Sequence, residues 1–185
     1  MTGTSPVESI ADGVRSARLR ALARYWVEKS AGLAMPFRRQ IEPVEIPGIL
    51  PIVLLADITQ AGARMRLLGS EATSAYGSET RGCSIADIRF GEFTAQWQDA
   101  FSRVIRSASP VFAAGTYRRG HELCGVETVL MPLTEDSLSV SQIFGGLLIR
   151  PVVNDRMIDR RAAIGPITPI AGKTADGTGR RVDRR

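Results

Sequence analysis

Few residues in this chain are of types that do covalent or metal chemistry, and their spacing argues against it. His121 is the only histidine, so no Ser-His-Asp or Cys-His triad can be built around a second imidazole. Cys83 and Cys124 lie 41 positions apart without a CxxC pair, and no group of Cys, His and acidic residues has metal-ligand spacing. Gly145-Gly146 falls inside a strand-like run, where it marks a bend or a close backbone approach rather than a phosphate loop. The paired carboxylates Glu135 and Asp136 sit in a turn, where water solvates them. The expectation is a protein that binds and does not catalyse.

Charge narrows the partners. The net charge of +5 suggests nucleic acid at first sight, but residues 1–149 hold 15 basic and 15 acidic side chains. Residues 150–185 hold 9 basic and 4 acidic, so the whole excess belongs to the C-terminal tail. That placement argues against a specific nucleic-acid face. A hydrophobic share of 44% argues for a packed core. No apolar run reaches spanning length and no secretory signal pattern opens the chain, so no transmembrane segment is expected. Two unpaired cysteines fit a reducing, cytoplasmic setting.

The pattern of apolar residues places the elements. Residues 1–12 read as a disordered start. Asp12 is positioned to cap a helix from about Gly13 to Glu28, with Leu19, Leu22, Ala23 and Trp26 on one stripe and Gly32 ending it. Four prolines within 36–51 exclude a continuous helix, and an extended surface path is expected there. Ile52–Ile58 and Ala63–Gly69 read as a hairpin and Ser70–Tyr76 as a short helix. Glu92–Ser107 carries the strongest helical stripe: Phe93, Trp97, Ala100, Phe101, Val104 and Ile105. Strands at Val111–Arg118, Leu123–Leu133 and Ser139–Ile149 follow, giving an α+β pattern with an antiparallel sheet. From Pro151 onward the periodicity disappears, and a basic, disordered tail over 151–185 is expected.

Several residues in that order carry a family resemblance. They are Tyr25-Trp26 at the end of the first helix, Pro36-x-Arg38, and Pro43 before Ile46–Leu50 and Pro51. Then come Arg66-Leu67-x-Gly69, Gly77 through Gly82, Met131-Pro132-Leu133 before the acidic turn, and Gly145 in the last strand. Together, over residues 18 to about 150, they resemble a proteobacterial family of single-domain PAS proteins. The resemblance implies a five-stranded antiparallel sheet, with short helices and one long helix on one face and an N-terminal helix besides. It also implies a pocket between sheet and helices, and frequent homodimers. The 36 residues after Ile149 are too few and too polar for a catalytic output domain.

Within that frame, His121 lies in a strand-strand turn instead of on a pocket helix, which disfavours haem. Cys83 follows Gly82 directly and lacks the Asn, Arg and Gln partners of flavin photoreceptors, which disfavours flavin. The cofactor, if any, stays unknown. The aromatics Phe90, Phe93, Trp97, Phe101, Phe112, Tyr117 and Phe144 could line a cavity. The ligand-binding candidates are Trp97, Phe101 and Phe112, with polar Arg66, Thr128 and Gln142 on inward strand positions. Leu19, Leu22 and Trp26 either cover the outer sheet face or contact a second copy. Arg156-x-x-x-Arg160-Arg161 superficially resembles the arginine motif of cyclic di-GMP receptors, but the 24 residues beyond it cannot supply the barrel such a site needs. The functional expectation is a sensor or regulatory module that binds a small ligand or a protein partner and signals through altered dimer or partner contacts. The alternatives are a ligand-free scaffold, or membrane or nucleic-acid association through the tail.

Overall fold

Alternating side chains divide one antiparallel sheet into two faces, each covered by a different part of the chain. The computed structural model describes residues 14–152. Its strands are β1 (Val53–Thr59), β2 (Gly62–Leu68), β3 (Val111–Arg119), β4 (Glu122–Leu133) and β5 (Gln142–Pro151). They lie in the order β2-β1-β5-β4-β3, with every pairing antiparallel. The helices are α1 (Ala17–Ser30), α2 (Ser70–Tyr76) and α3 (Thr94–Ser107). β5 is central and buried at every residue from Gln142 to Ile149, which explains its near-continuous apolar sequence.

On the inner face, Leu54, Ala56, Met65, Leu130, Ile143 and Leu147 meet Trp97, Ala100, Phe101 and Val104 of α3. The stripe read from the sequence is thus the buried side of this helix, except that Ile105, expected on it, turns out to be exposed at the stripe's margin. On the outer face, Val53, Leu55, Val129, Met131, Phe144 and Leu148 lie under Leu19, Leu22 and Trp26 of α1. Burying each such aliphatic side chain contributes about 1.5–3 kcal/mol.

Four expectations need correction. Helix α1 begins at Ala17, not Gly13, and Asp12 lies outside the described residues. Ser16 stands at the N-cap without a side-chain cap bond; its backbone N–H donates to Glu127 Oε2 at 3.1 Å, tying the helix start to β4. The stretch 36–51 does not run extended. It folds into 3-10 turns at Arg38–Gln40, Pro43–Glu45 and Leu50–Ile52. Pro43 and Pro51 sit at first-turn positions, where a missing N–H costs little. The turns bury Ile41, Ile46 and Ile52 against the outer face. The long helix is preceded by a 3-10 turn at Gly91–Phe93. Finally, β5 begins at Gln142, not Ser139, because Asp136 holds the preceding turn. Its Oδ1 accepts from the N–H groups of Leu138 and Ser139, both at 2.9 Å. Those N–H groups hold the Asp136 carboxyl far below the usual carboxylate range. The bulk of the expected tail, including Arg156, Arg160 and Arg161, lies outside the described residues, as do residues 1–12. Pro151 belongs to β5.

Candidate functional site

The inner face is where this architecture positions a site, and aromatic rings occupy it. Phe90, delivered by the segment between α2 and α3, lies at the centre. Its ring centroid is 5.0 Å from Tyr76, 6.3 Å from Phe93, 5.0 Å from Trp97 and 5.5 Å from Tyr117. Trp97 continues the chain to Phe101 at 4.9 Å. Every contact is edge to face, the arrangement that the ring quadrupoles favour. Phe90, Phe93, Trp97, Phe101 and Tyr117 are buried. Gly115 makes room for this packing, because a Cβ there would stand 2.6 Å from the Phe93 ring.

Two polar atoms inside this cluster lack an oxygen or nitrogen partner: Trp97 Nε1 and Tyr117 Oη. Tyr117 stands across the ladder from Cys124. Burial, above all, pushes both the Tyr117 phenol and the Cys124 thiol up from their ordinary values. Leaving a buried donor unpaired costs about 1–3 kcal/mol, so these two are the most unusual groups on this face.

The expected ligand-binding residues do not converge. Trp97 and Phe101 belong to the aromatic cluster. Thr128 is fully buried on the same face, but its hydroxyl donates to Gly146 O at 2.8 Å. Phe112 is half-buried and packs with the outer core. Gln142 and Arg66 meet on a residue that the sequence reading passed over, Asp57. Gln142 Nε2 donates to Asp57 Oδ1 at 2.7 Å, and Arg66 reaches the same oxygen at 3.4 Å. Alternation from the outer-face residues Val53 and Leu55 puts Asp57 on the outer side, as Phe144 does for Gln142. Arg66 is exposed, so the inward position expected for it is not found. Asp57 was detectable as the single acid inside the apolar run 52–58. Tyr76, also passed over, gave no periodic signal at the end of a short helix.

Leu19, Leu22 and Trp26 are buried at 0%, 0% and 5% exposure beneath their own chain. Trp26 Nε1 donates to Pro132 O at 2.9 Å. Of their two expected roles, the structure assigns them the cover of the outer face and leaves them no surface for a second copy. His121 occupies the β3–β4 turn and is exposed. Cys83 is exposed and Cys124 buried, both as free thiols. Among the described residues, no cluster of three His, Cys, Asp or Glu side chains is arranged to hold a metal ion. No helix among them is long and apolar enough to cross a membrane.

A shallow groove of about 240 Å³ opens beside the outer strand β3, between Phe93 and Gln96 on one side and Gly115 to Arg118 on the other. It is smaller than the roughly 300–1,000 Å³ of small-molecule sites.

No curated protein sequence matches. The PAS domain of BvgS from Bordetella pertussis is similar in structure, with a TM-score of 0.46 and 17% identity, over 61% of this chain and 85% of that one. The Vibrio cholerae VqmA dimer, a LuxR-type receptor, gives 0.43 and 11% over 60% of this chain and 52% of that one. An RNA-binding light-oxygen-voltage receptor gives 0.41 and 19% over 70% and 48%. The chain spans about half the length of the latter two. PAS domains can bind cofactors such as flavin, so the fold does not itself count against one. Residues 14–148 match the PAS domain family, and the chain belongs to it.

Proposed function

We propose that this PAS domain is a non-catalytic regulatory module that works through protein contacts, with no ligand enclosed against the sheet. The observation that carries this reading is the ring of Phe90, which with its four aromatic neighbours fills the space between sheet and helices. A sheet packed on both faces makes a stiff platform, and a stiff platform docks partners with little ordering cost. The free thiols Cys83 and Cys124 suit a reducing, cytoplasmic setting. The basic excess beyond residue 149 is a secondary feature, able to strengthen contact with an acidic partner in a salt-sensitive way.

A second reading, a small-ligand sensor, is favoured by one observation: Trp97 Nε1 and Tyr117 Oη, in the same cluster, lack an oxygen or nitrogen partner. A small molecule bearing acceptors for these donors would satisfy them and shift the population of sheet-helix packings. Native mass spectrometry of freshly purified protein separates the readings. The contact reading predicts the bare chain mass. A stoichiometric small molecule that survives purification would contradict it and establish the sensor.

A further inference from the structure

The cover that α1 lays over the outer face is shorter than the sheet. Ser16 is tied to Glu127 and Trp26 to Pro132, so the helix runs alongside β4 in the same direction and begins at its middle. Alternation from Val129 places Glu127, Gly125 and Leu123 on the outer face, from the helix start outward. The ladders set Thr116 and Arg118 of β3 and Arg150 of β5 beside them. Arg118 and Arg150 are exposed, Thr116 and Leu123 half-buried. The groove beside β3 opens into this area, sharing Thr116, Arg118 and Leu123. Neither guanidinium has a hydrogen-bond or ion-pair partner among the described residues. Glu127, on the same face, already accepts from the Ser16 N–H, and Glu92, which lines the groove, makes no ion pair with Arg118.

Both lengths of chain outside the described residues start at this place. Val152 N–H donates to Leu123 O at 2.8 Å, so residues 153–185 leave the sheet here. They hold eight basic and four acidic side chains, the wrong sign for two unpaired arginines. Residues 1–13 lead into Val14 from the same end, and their only charged side chains are Glu8 and Asp12. Charge therefore selects the N-terminal segment. The residues that follow it carry a direction as well. Val14 and Ser16 are buried and Arg15 is exposed, the alternation of extended backbone, and Ser16 has φ −73° and ψ 125°.

We infer that residues 8–12 dock across this open end of the outer face, with Asp12 on Arg150, Ile10 over Leu123 and Gly125, and Glu8 on Arg118. The alternation of Val14 and Ser16, continued backward, turns Asp12, Ile10 and Glu8 toward the sheet and Gly13, Ala11 and Ser9 toward water. Acid, apolar, acid then meets arginine, apolar floor, arginine. The spacing agrees. Arg150 pairs with Gly125 and Gly125 with Thr116, two residues from Arg118. That is about 10 Å across two strand spacings and about 7 Å along a strand, or about 12 Å in all. Four extended residues from Glu8 to Asp12 span about 13 Å. So seated, the segment masks both arginines, and an acidic partner reaches them only by displacing it. The contact is autoinhibitory, and what fills the inner face has no bearing on it.

Backbone nitrogen relaxation of the full 185-residue chain at low ionic strength tests this seat. The wild type shows order parameters of about 0.85 at Ile10 and Asp12, the level of rigid backbone. Arg118→Glu with Arg150→Glu lowers them below about 0.6, and adding Glu8→Lys and Asp12→Lys to that chain restores them. Wild-type values below about 0.6, or values that the arginine reversals leave unchanged, overturn the inference. Should the arginine variant misfold, Glu8→Lys with Asp12→Lys in the otherwise unaltered chain gives the same loss, and an unchanged value there overturns it equally. Rigid amides within 153–185 that loosen on arginine reversal would give the face to the tail. Rigidity at Ile10 that appears only with rising concentration would give it to a second copy. Either result overturns the inference.

Discussion

Phe90 meets Trp97 edge to face, with ring centroids 5.0 Å apart and planes inclined at 64°. This one contact joins the irregular segment after α2 to the long helix, and both to the sheet. On the proposed reading, this contact makes core of the face on which a PAS fold would hold a ligand. Phe90 is 1% exposed and touches four rings, so Phe90→Ala removes the centre of the cluster. Urea unfolding of the variant should show a loss of about 3–5 kcal/mol. A loss below 1 kcal/mol would mean that the rings are loosely packed.

Trp26 tests the role of α1. Its indole N–H satisfies Pro132 O inside the outer core. Trp26→Phe keeps an aromatic ring but leaves that carbonyl unpaired, and should cost about 1–3 kcal/mol. The oligomeric state in sedimentation should not change. A shift in association without loss of stability would return α1 to the role of a contact helix.

Gly145 and Gly146 should respond unequally to alanine. A Cβ at Gly145 would lie 2.2 Å from Val129 O, a backbone atom of the neighbouring strand. At Gly146 the clashes, at 2.7 and 2.9 Å, are with the side-chain tips of Leu19 and Leu22, which can turn aside. Gly145→Ala should therefore lower stability by about 1–3 kcal/mol or more, and Gly146→Ala by less, in thermal unfolding. The reverse order would contradict the described packing of β5 against β4.

Much of this arrangement was legible in the residues. The stripe from Phe93 to Val104 named the buried side of α3, and the strand runs lay within a few positions of the observed ones. The reason is physical: one-sided burial imprints a period on the chain. What escaped depends on distant pairing. Gln142 and Asp57 are 85 residues apart and meet only because β5 inserts beside β1. Phe101 and Phe112 look alike in sequence, yet one faces inward and the other outward, because the register of β3 decides it. The turns over 36–51 were missed because prolines forbid long helices without forbidding 3-10 turns.

Alkaline pH should unfold the protein through Tyr25. Its hydroxyl donates to Glu45 Oε2 at 2.7 Å and accepts from the Glu42 N–H at 2.8 Å. Burial first, and then the bond to Glu45, pushes the phenol up from 10.0 to about 12. A group held protonated in the folded state contributes its stability in full below its unfolded value. That contribution is lost as pH rises, here between about 10 and 12. Denaturant midpoints should fall across this window, and Tyr25→Phe should flatten the fall. An identical slope in the variant would assign the effect elsewhere.

The central claim, that rings and not a ligand fill the inner face, meets its most direct test in a calorimetric titration with a small apolar probe such as indole. The wild type should take up none. Phe90→Ala should gain a saturable site, because a dry apolar cavity of about 150 Å³ binds such molecules. Saturable binding to the wild type, lost when Trp97 or Tyr117 is replaced, would show an open pocket where the account places closed core.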